Sequence, residues 1–146
     1  MIASYSEREV FTPDEVELWR RAVRYVDRIP EYLADSRCHE VARAVGELLS
    51  LPHQDGFYGF VDHTWLWTRP LDRTAGRMGR IGFPHVLDVY RVGSLPMVAL
   101  VDGAHTSLPH VGWAYRPGTE RTDVDSDRVK TLVHAMDEAM HASPAH

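Results

Sequence analysis

The amino-acid sequence predicts an α+β domain in which N-terminal helices pack on an antiparallel sheet and a C-terminal helix follows. Apolar residues recur at helical spacing near both ends of the chain, whereas the middle is rich in aromatic and β-branched residues that favour strands. The predicted strands are joined by turns and loops and not by crossover helices, which is typical of an antiparallel sheet. No glycine-rich phosphate fingerprint occurs, which argues against a doubly wound nucleotide-binding fold.

Two helices are predicted in the first third of the chain. The segment Thr12–Glu15 supplies an N-cap hydroxyl, a proline at the first helical position and a glutamate three residues after the cap. The helix that begins there should end or kink at Ile29-Pro30, because helical backbone is disfavoured for the residue before a proline. A second helix is predicted from Asp35 or Ser36 to about Ser50. Its apolar stripe comprises Val41, Val45, Leu48 and Leu49.

The sheet and the last helix are predicted in the second half of the chain. The segments with strand composition are residues 57–68, 85–92 and 96–101, with a turn at 93–94 and a short strand near 113–116. Residues 69–84 form a predicted loop, and its Arg69–Arg80 part either engages an acidic ligand, closes over a cleft or is simply solvated. A final helix is predicted to follow Ser126. Its apolar side comprises Val129, Leu132, Val133, Met136 and Met140.

Length, charge and cysteine content limit the functional classes. The 146 residues fit one domain over residues 1–146, with flexible ends expected over about 1–10 and 143–146. A net charge of −5 disfavours nucleic-acid binding, which needs a basic face. No apolar run approaches the ~20 residues that span a bilayer. The N-terminus lacks the order of a secretion signal and there is a single cysteine, so we expect a cytoplasmic protein without disulfides.

The only cysteine, Cys38, is the candidate nucleophile. With Asp35 or Ser36 as the N-cap, Cys38 lies in the first turn of the second helix, where free N–H groups and the helix dipole stabilise a thiolate. Arg37 adds a neighbouring positive charge. Core packing is the competing interpretation, because Cys38 shares a stripe with Val41 and free cysteines are commonly buried.

A histidine and an aspartate in the predicted sheet are candidate partners of the thiol. His63, presented from a strand to a helix N-terminus, would accept the thiol proton. Asp88 lies in an apolar strand, where a carboxylate is costly unless it is paired, and orienting an imidazole would supply that pairing. Asp62 and Asp102 are alternatives for the orienting residue, and His85 is an alternative base.

Aromatic residues around this histidine are expected to bind substrate. Strand alternation places Trp65 and Trp67 on the same face as His63, and Thr64 on the opposite face with Asp62 and Leu66. Two tryptophans beside a base would exclude water and form the wall of a substrate cleft. Tyr90, in the next predicted strand, is the third residue expected to bind substrate. Aromatic side chains are more often part of a core, which is the default interpretation.

The order of these residues resembles the transglutaminase-like branch of the papain-like cysteine hydrolases. The resemblance is carried by Cys38 near a helix start, by His63-Thr64-Trp65 and by Leu87-Asp88-Val89-Tyr90, across about residues 35–101. The chain departs from that family in two respects. Val89 follows Asp88 where a proline is common, and the arginine-rich loop lengthens the segment between the two strands.

The resemblance implies a papain-like core and thiol-dependent acyl transfer on an amide-type substrate, as in a peptidase, amidase, deamidase or transglutaminase. Cys38 would be the nucleophile, His63 the base and Asp88 the orienting acid, with no cofactor and a peptide or small amide as substrate. Backbone N–H groups at the helix start, including that of Cys38, would stabilise the oxyanion. His53 and Gln54, in the loop predicted before the first strand, are candidates for a second oxyanion donor.

Two other functional classes stay open from the sequence. A non-catalytic binding module would use an aromatic-lined cleft and would bind its ligand without Cys38. A metal site would draw on imidazoles and carboxylates but shows none of the usual ligand spacings. The residues available to such a site are His63, His85, His105, His110, Asp88 and Asp102.

Overall fold

The computed structural model describes residues 11–70, 84–92, 95–103 and 115–142. These residues form three α-helices and a five-stranded antiparallel sheet, which confirms the α+β class. The helices are α1 (Pro13–Asp27), α2 (Cys38–Leu49) and α3 (Ser126–Ala142). The strands are β1 (His53–Tyr58), β2 (Val61–Trp67), β3 (Val86–Val92), β4 (Leu95–Val101) and β5 (Tyr115–Pro117).

Helix α1 begins as its sequence predicts. The Thr12 hydroxyl accepts a hydrogen bond from the Glu15 backbone N–H at 3.1 Å, and the Glu15 carboxylate accepts one from the Thr12 N–H at 2.9 Å. This reciprocal pair is a capping box. The helix ends at Asp27, just before the predicted stop at Ile29-Pro30, and it buries Val23 and Val26 against the sheet.

Helix α2 begins later than predicted. Its N-cap is Arg37, and Cys38 is its first residue. The prediction that Ser36 caps this helix is wrong, because the Ser36 hydroxyl donates to the Leu33 carbonyl at 2.8 Å. Leu33 is the last residue of a short 3₁₀ helix that precedes α2. The other predicted cap, Asp35, instead accepts a hydrogen bond from an arginine of α3. No side chain therefore caps α2.

A hairpin occupies the segment for which the sequence predicted strand structure over residues 57–68. Tyr58 pairs with Val61, so Gly59 and Phe60 form a two-residue turn. Gly59 has φ 62°, at the first central position, where a type II′ turn requires glycine. Strand β1 begins at His53, which the sequence placed in a loop, because its pairing with β2 overrides the weak strand propensity of its residues.

The strand order is β4-β3-β2-β1-β5, with every pair antiparallel. Helices α1 and α2 pack on one face of the sheet, α1 against β4 and α2 against β2 and β3, and α3 packs against these two helices. The main core therefore combines helix residues with the apolar residues of this face, Leu66, Leu87, Val89, Val98 and Leu100. The opposite face carries a smaller buried cluster of Trp65, Trp67, Val86 and Tyr115.

Strands β2 and β3 separate beside the start of α2. Their pairing stops after two residue pairs, which involve Leu66 and Trp67 of β2. Strand β3 pairs with β4 along its whole length, so β2 leaves the ladder over the part that carries His63 and Thr64. The first turn of α2 reaches this opening, because the His39 ring lies 2.7 Å from the Thr64 hydroxyl.

Several predicted features fall outside the described residues. These are the two chain ends, most of the arginine-rich loop (71–83), the turn at 93–94 and residues 104–114. The predicted strand near 113–116 corresponds in its described part to β5. In α3, Leu132 and Met136 are buried as predicted. Among the described helices, none combines the length and apolar character needed to cross a bilayer.

Gly56 lies where β1 passes closest to β5. A carbon added at Gly56 would lie 2.1 Å from the Arg116 carbonyl oxygen, so Gly56→Ala must push β5 away. We expect its free energy of unfolding, measured by urea denaturation, to fall by about 1–3 kcal/mol. Gly118→Ala should cost less, since its added carbon would lie 3.3 Å from the Gly56 Cα. Wild-type stability of Gly56→Ala would contradict this packing.

Candidate active site

Cys38 lies at the first position of α2 and is partly exposed. Among the described residues, nothing accepts a hydrogen bond from the backbone N–H groups of Cys38 and His39, whereas that of Glu40 donates to the Arg37 carbonyl. Uncapped N–H groups and the helix dipole make this end of α2 electropositive. The thiol is thus held where a thiolate would be stabilised.

Arg37 does not supply the free positive charge that the sequence suggested. Its guanidinium donates two hydrogen bonds to Glu40, at 3.1 and 2.6 Å, and also contacts Asp123. Glu40 is 2% exposed and holds this arginine against α2. The electropositive character near Cys38 therefore comes mainly from the helix end.

His63 and Asp88 form a close pair across the opening between β2 and β3. The Nε2 atom of His63 lies 2.8 Å from both carboxylate oxygens of Asp88. Asp88 is 2% exposed, and it also accepts a hydrogen bond of 2.6 Å from the Tyr115 hydroxyl. A buried carboxylate is costly unless it is paired, and these two donors supply the pairing.

The thiol of Cys38 lies close enough to His63 to affect the pKa of its ring. Burial by itself would lower the pKa of His63, but hydrogen bonds and charge interactions with Asp88 and Cys38 raise it to about 10. Since Asp88 binds Nε2, the ring nitrogen left for the thiol is Nδ1. The structure therefore places Cys38, His63 and Asp88 in one cluster, with His63 as the residue that interacts with both of the others.

The aromatic residues expected to bind substrate are largely buried. Trp65 and Trp67 are 0% and 1% exposed, so they pack behind His63 and do not form an open surface. The Trp65 ring stacks beside His63 at 6.3 Å between ring centroids, and the Tyr115 ring lies at 6.2 Å. This apolar enclosure leaves the His63 side chain 11% exposed. Tyr90 pairs with β4 through its backbone, and its side chain lies outside the described residues.

The alternative orienting acids and base have other partners. Asp62 is an exposed residue that pairs with Arg121, at 3.3 Å. Asp102 lies 3.6 Å from His85, whose Nδ1 accepts a hydrogen bond from the Gly103 N–H.

The two predicted second oxyanion donors are also committed elsewhere. The Nε2 atom of His53 bonds to Glu120 at 3.0 Å. The side-chain amide of Gln54 donates to the carbonyls of Asp55 and Gly118. Both residues belong to β1 and not to the predicted loop, so their side-chain nitrogens are used in holding the sheet to residues 118–120.

One group of described residues has metal-ligand chemistry, namely His53, Asp55 and Glu120. The guanidinium of Arg43 already lies between the two carboxylates, with hydrogen bonds to Asp55 and, at 3.2 Å, to Glu120. A second cation there would have to displace the first, so the donor set fits an ion-pair network better than a metal. His105 and His110, which the metal hypothesis included, lie outside the described residues.

Two residues of the site were not predicted. Tyr115 reaches Asp88 from β5, whereas the sequence indicated only an aromatic residue of a possible recognition surface in a short strand. His39 follows Cys38 in the chain, and its Nδ1 atom lies 3.7 Å from the Cys38 sulfur. The sequence shows that a histidine follows the cysteine, but it does not show that the imidazole of this histidine lies beside the sulfur.

Comparisons of the chain with protein-family models, with curated proteins and with solved structures found no match.

Replacing Asp88 by asparagine should lower the pKa of His63 by roughly 1–3 pH units, because an opposite charge at hydrogen-bond distance favours the imidazolium. The measurement is an NMR titration of the His63 ring in the wild type and in Asp88→Asn. We expect a pKa of about 10 for His63 in the wild type. Asp62→Asn is the matched control, since Asp62 lies next to His63 on β2 but its exposed carboxylate pairs with Arg121. A wild-type ring that titrates near 6.5, its ordinary value, would contradict the pairing.

Proposed function

We propose that the protein catalyses thiol-dependent acyl transfer on an amide-type substrate, with Cys38 as nucleophile, His63 as acid and base, and Asp88 as orienting acid. The observation that supports this most is the position of His63, which is held between a buried carboxylate and the thiol. A histidine so placed favours its imidazolium form, which is the form that accompanies a thiolate. The protein would belong to the papain-like cysteine hydrolases that its motif order resembles.

In the proposed resting state the thiol proton of Cys38 has already passed to Nδ1 of His63, so the sulfur is a thiolate and the ring an imidazolium. The sulfur then attacks the carbonyl carbon, so a C–S bond forms and the carbonyl π electrons move to oxygen. As the tetrahedral intermediate collapses, the C–N bond breaks and the leaving nitrogen takes the proton from His63. Water or an amine next attacks the thioester, gives a proton to His63 and releases the acyl group from Cys38.

The start of α2 suits the negative oxygen of the intermediate. The backbone N–H of Cys38 donates to no described residue and lies next to the sulfur that would attack. A backbone N–H fixed by a helix needs little reorganisation during the reaction, which is the basis of an oxyanion hole.

Exposed apolar residues beside the site favour a substrate with an apolar group. Tyr58 and Val61 form the last pair of the β1–β2 hairpin and lie on the same sheet face as His63. They are 38% and 59% exposed, and Phe60 in the turn is 85% exposed. The ring centroids of Tyr58 and His63 are 6.2 Å apart, so an apolar group on this strip would lie next to the base. We propose that this strip binds the acyl side of the substrate.

The first test is to trap the acyl-enzyme. Incubation with an activated ester such as p-nitrophenyl acetate should release nitrophenolate in a burst and add one acetyl group to Cys38, detected by mass spectrometry after proteolysis. Cys38→Ser should lose the adduct, and His63→Gln should slow acylation by about 100-fold or more, since general bases contribute that much. Asp62→Asn is the control that should acylate normally.

Two outcomes would contradict the proposal. One is acetylation spread over lysines and histidines with no preference for Cys38. The other is an acylation rate of Cys38 that does not change in His63→Gln. Either result would favour the non-catalytic binding module.

The apolar strip predicts a preference among acyl groups. Acylation by p-nitrophenyl phenylacetate should be more efficient than by the acetate, and Val61→Ser should reduce this ratio several-fold by weakening apolar contact. Tyr32→Ser removes a side chain that is also exposed (70%) but lies before α2, so it should leave the ratio unchanged. An unchanged ratio in Val61→Ser would exclude the strip as the acyl site.

A further inference from the structure

We propose that His39 is a second catalytic histidine, which stays neutral and donates a hydrogen bond from Nδ1 to the sulfur of Cys38. His63 would remove the thiol proton, whereas His39 would stabilise the thiolate that remains. The inference rests on the proposed role of Cys38 as nucleophile. It assigns a function to a buried imidazole that the acid–base mechanism does not use.

A chain of hydrogen bonds fixes the His39 ring. The Arg43 guanidinium donates two hydrogen bonds to the buried Asp55 carboxylate. The Thr64 hydroxyl lies 2.6 Å from the same carboxylate and 2.7 Å from Nδ1 of His39. The chain ends at Cys38, whose sulfur is 3.7 Å from that nitrogen.

The ionisation state of Asp55 determines which nitrogen of His39 carries a hydrogen. Burial raises the pKa of Asp55, but hydrogen bonds from Arg43, the Arg121 N–H and Thr64 lower it to about 2. Asp55 is therefore ionised and can only accept, so the single hydroxyl proton of Thr64 points to it. The Thr64 oxygen must then accept from His39, which places a hydrogen on Nδ1.

The surroundings keep His39 neutral. Burial, and then the positive charges of Arg121 and Arg37, lower the pKa of His39, outweighing the opposite effect of Asp55 and Glu40. A neutral ring with its hydrogen on Nδ1 cannot take the thiol proton at that atom. It can share the hydrogen between the Thr64 oxygen and the sulfur, a three-centre arrangement in which a charged acceptor is favoured.

The two histidines around Cys38 are thus assigned different protonation states. His63 faces Asp88, which favours its charged form, and His39 is buried near arginines, which disfavour it. Environments that push the pKa values of two neighbouring groups apart are the usual way in which proteins divide acid–base roles.

The test compares two substitutions at position 39 in the full-length protein. In His39→Asn the side-chain amide can place an N–H near the position of Nδ1, whereas His39→Leu has no donor. The rate of Cys38 alkylation by iodoacetamide, measured from about pH 5 to 9, should fall about tenfold at neutral pH in His39→Leu, with the profile moved to higher pH. His39→Asn should retain most of the rate and the wild-type profile.

Thr64 provides a second pair of variants that does not depend on how well His39→Leu folds. Thr64→Ser keeps the hydroxyl and should behave as wild type, whereas Thr64→Val releases the His39 ring and should slow alkylation. Equal rates and pH profiles for the asparagine and leucine variants, or for the serine and valine variants, would overturn the role of His39. This outcome differs from failure of the proposed function, in which His63→Gln leaves acylation of Cys38 unchanged.

Discussion

The buried pair of His63 and Asp88 is the interaction on which the site depends. Each partner would be costly alone, since an unpaired buried charge costs about 3–5 kcal/mol. Asp88 comes from β3, His63 from β2 and the supporting Tyr115 from β5, so the pair forms only when the sheet has its observed order. The register of the strands therefore determines the chemistry of the site as well as the stability of the fold.

Helix α2 brings the sulfur to this pair from the other side of the sheet. Because β2 leaves β3 after two residue pairs, Cys38 in the helix layer can contact His63 on the opposite face. A hydrogen-bond chain through Asp55, Thr64 and His39 reaches the thiol on one side, and the pair of Asp88 and His63 lies on the other. In the proposed mechanism His63 moves a proton, whereas His39 donates a hydrogen bond and keeps its proton.

Local signals in the sequence were sufficient for some features and not for others. The capping box of α1 is encoded within four residues, so its start was predicted correctly. The cap of α2 was wrong because Ser36 has a competing local partner, the Leu33 carbonyl. The pairing of Asp88 with His63 was proposed from the cost of a carboxylate in an apolar strand. Tyr115 was not foreseen, because its contact with Asp88 joins residues 27 positions apart through the strand order.

We propose that the charged ring of His63 and the start of α2 favour the thiolate form of Cys38. Thiolates absorb ultraviolet light that thiols do not, so the most direct measurement is the pH-dependent difference spectrum between wild type and Cys38→Ser. We predict a thiolate signal at about pH 7 that is greatly reduced in His63→Ala. A wild-type spectrum without this signal until the pH at which an ordinary cysteine ionises, about 8.5, would contradict the account.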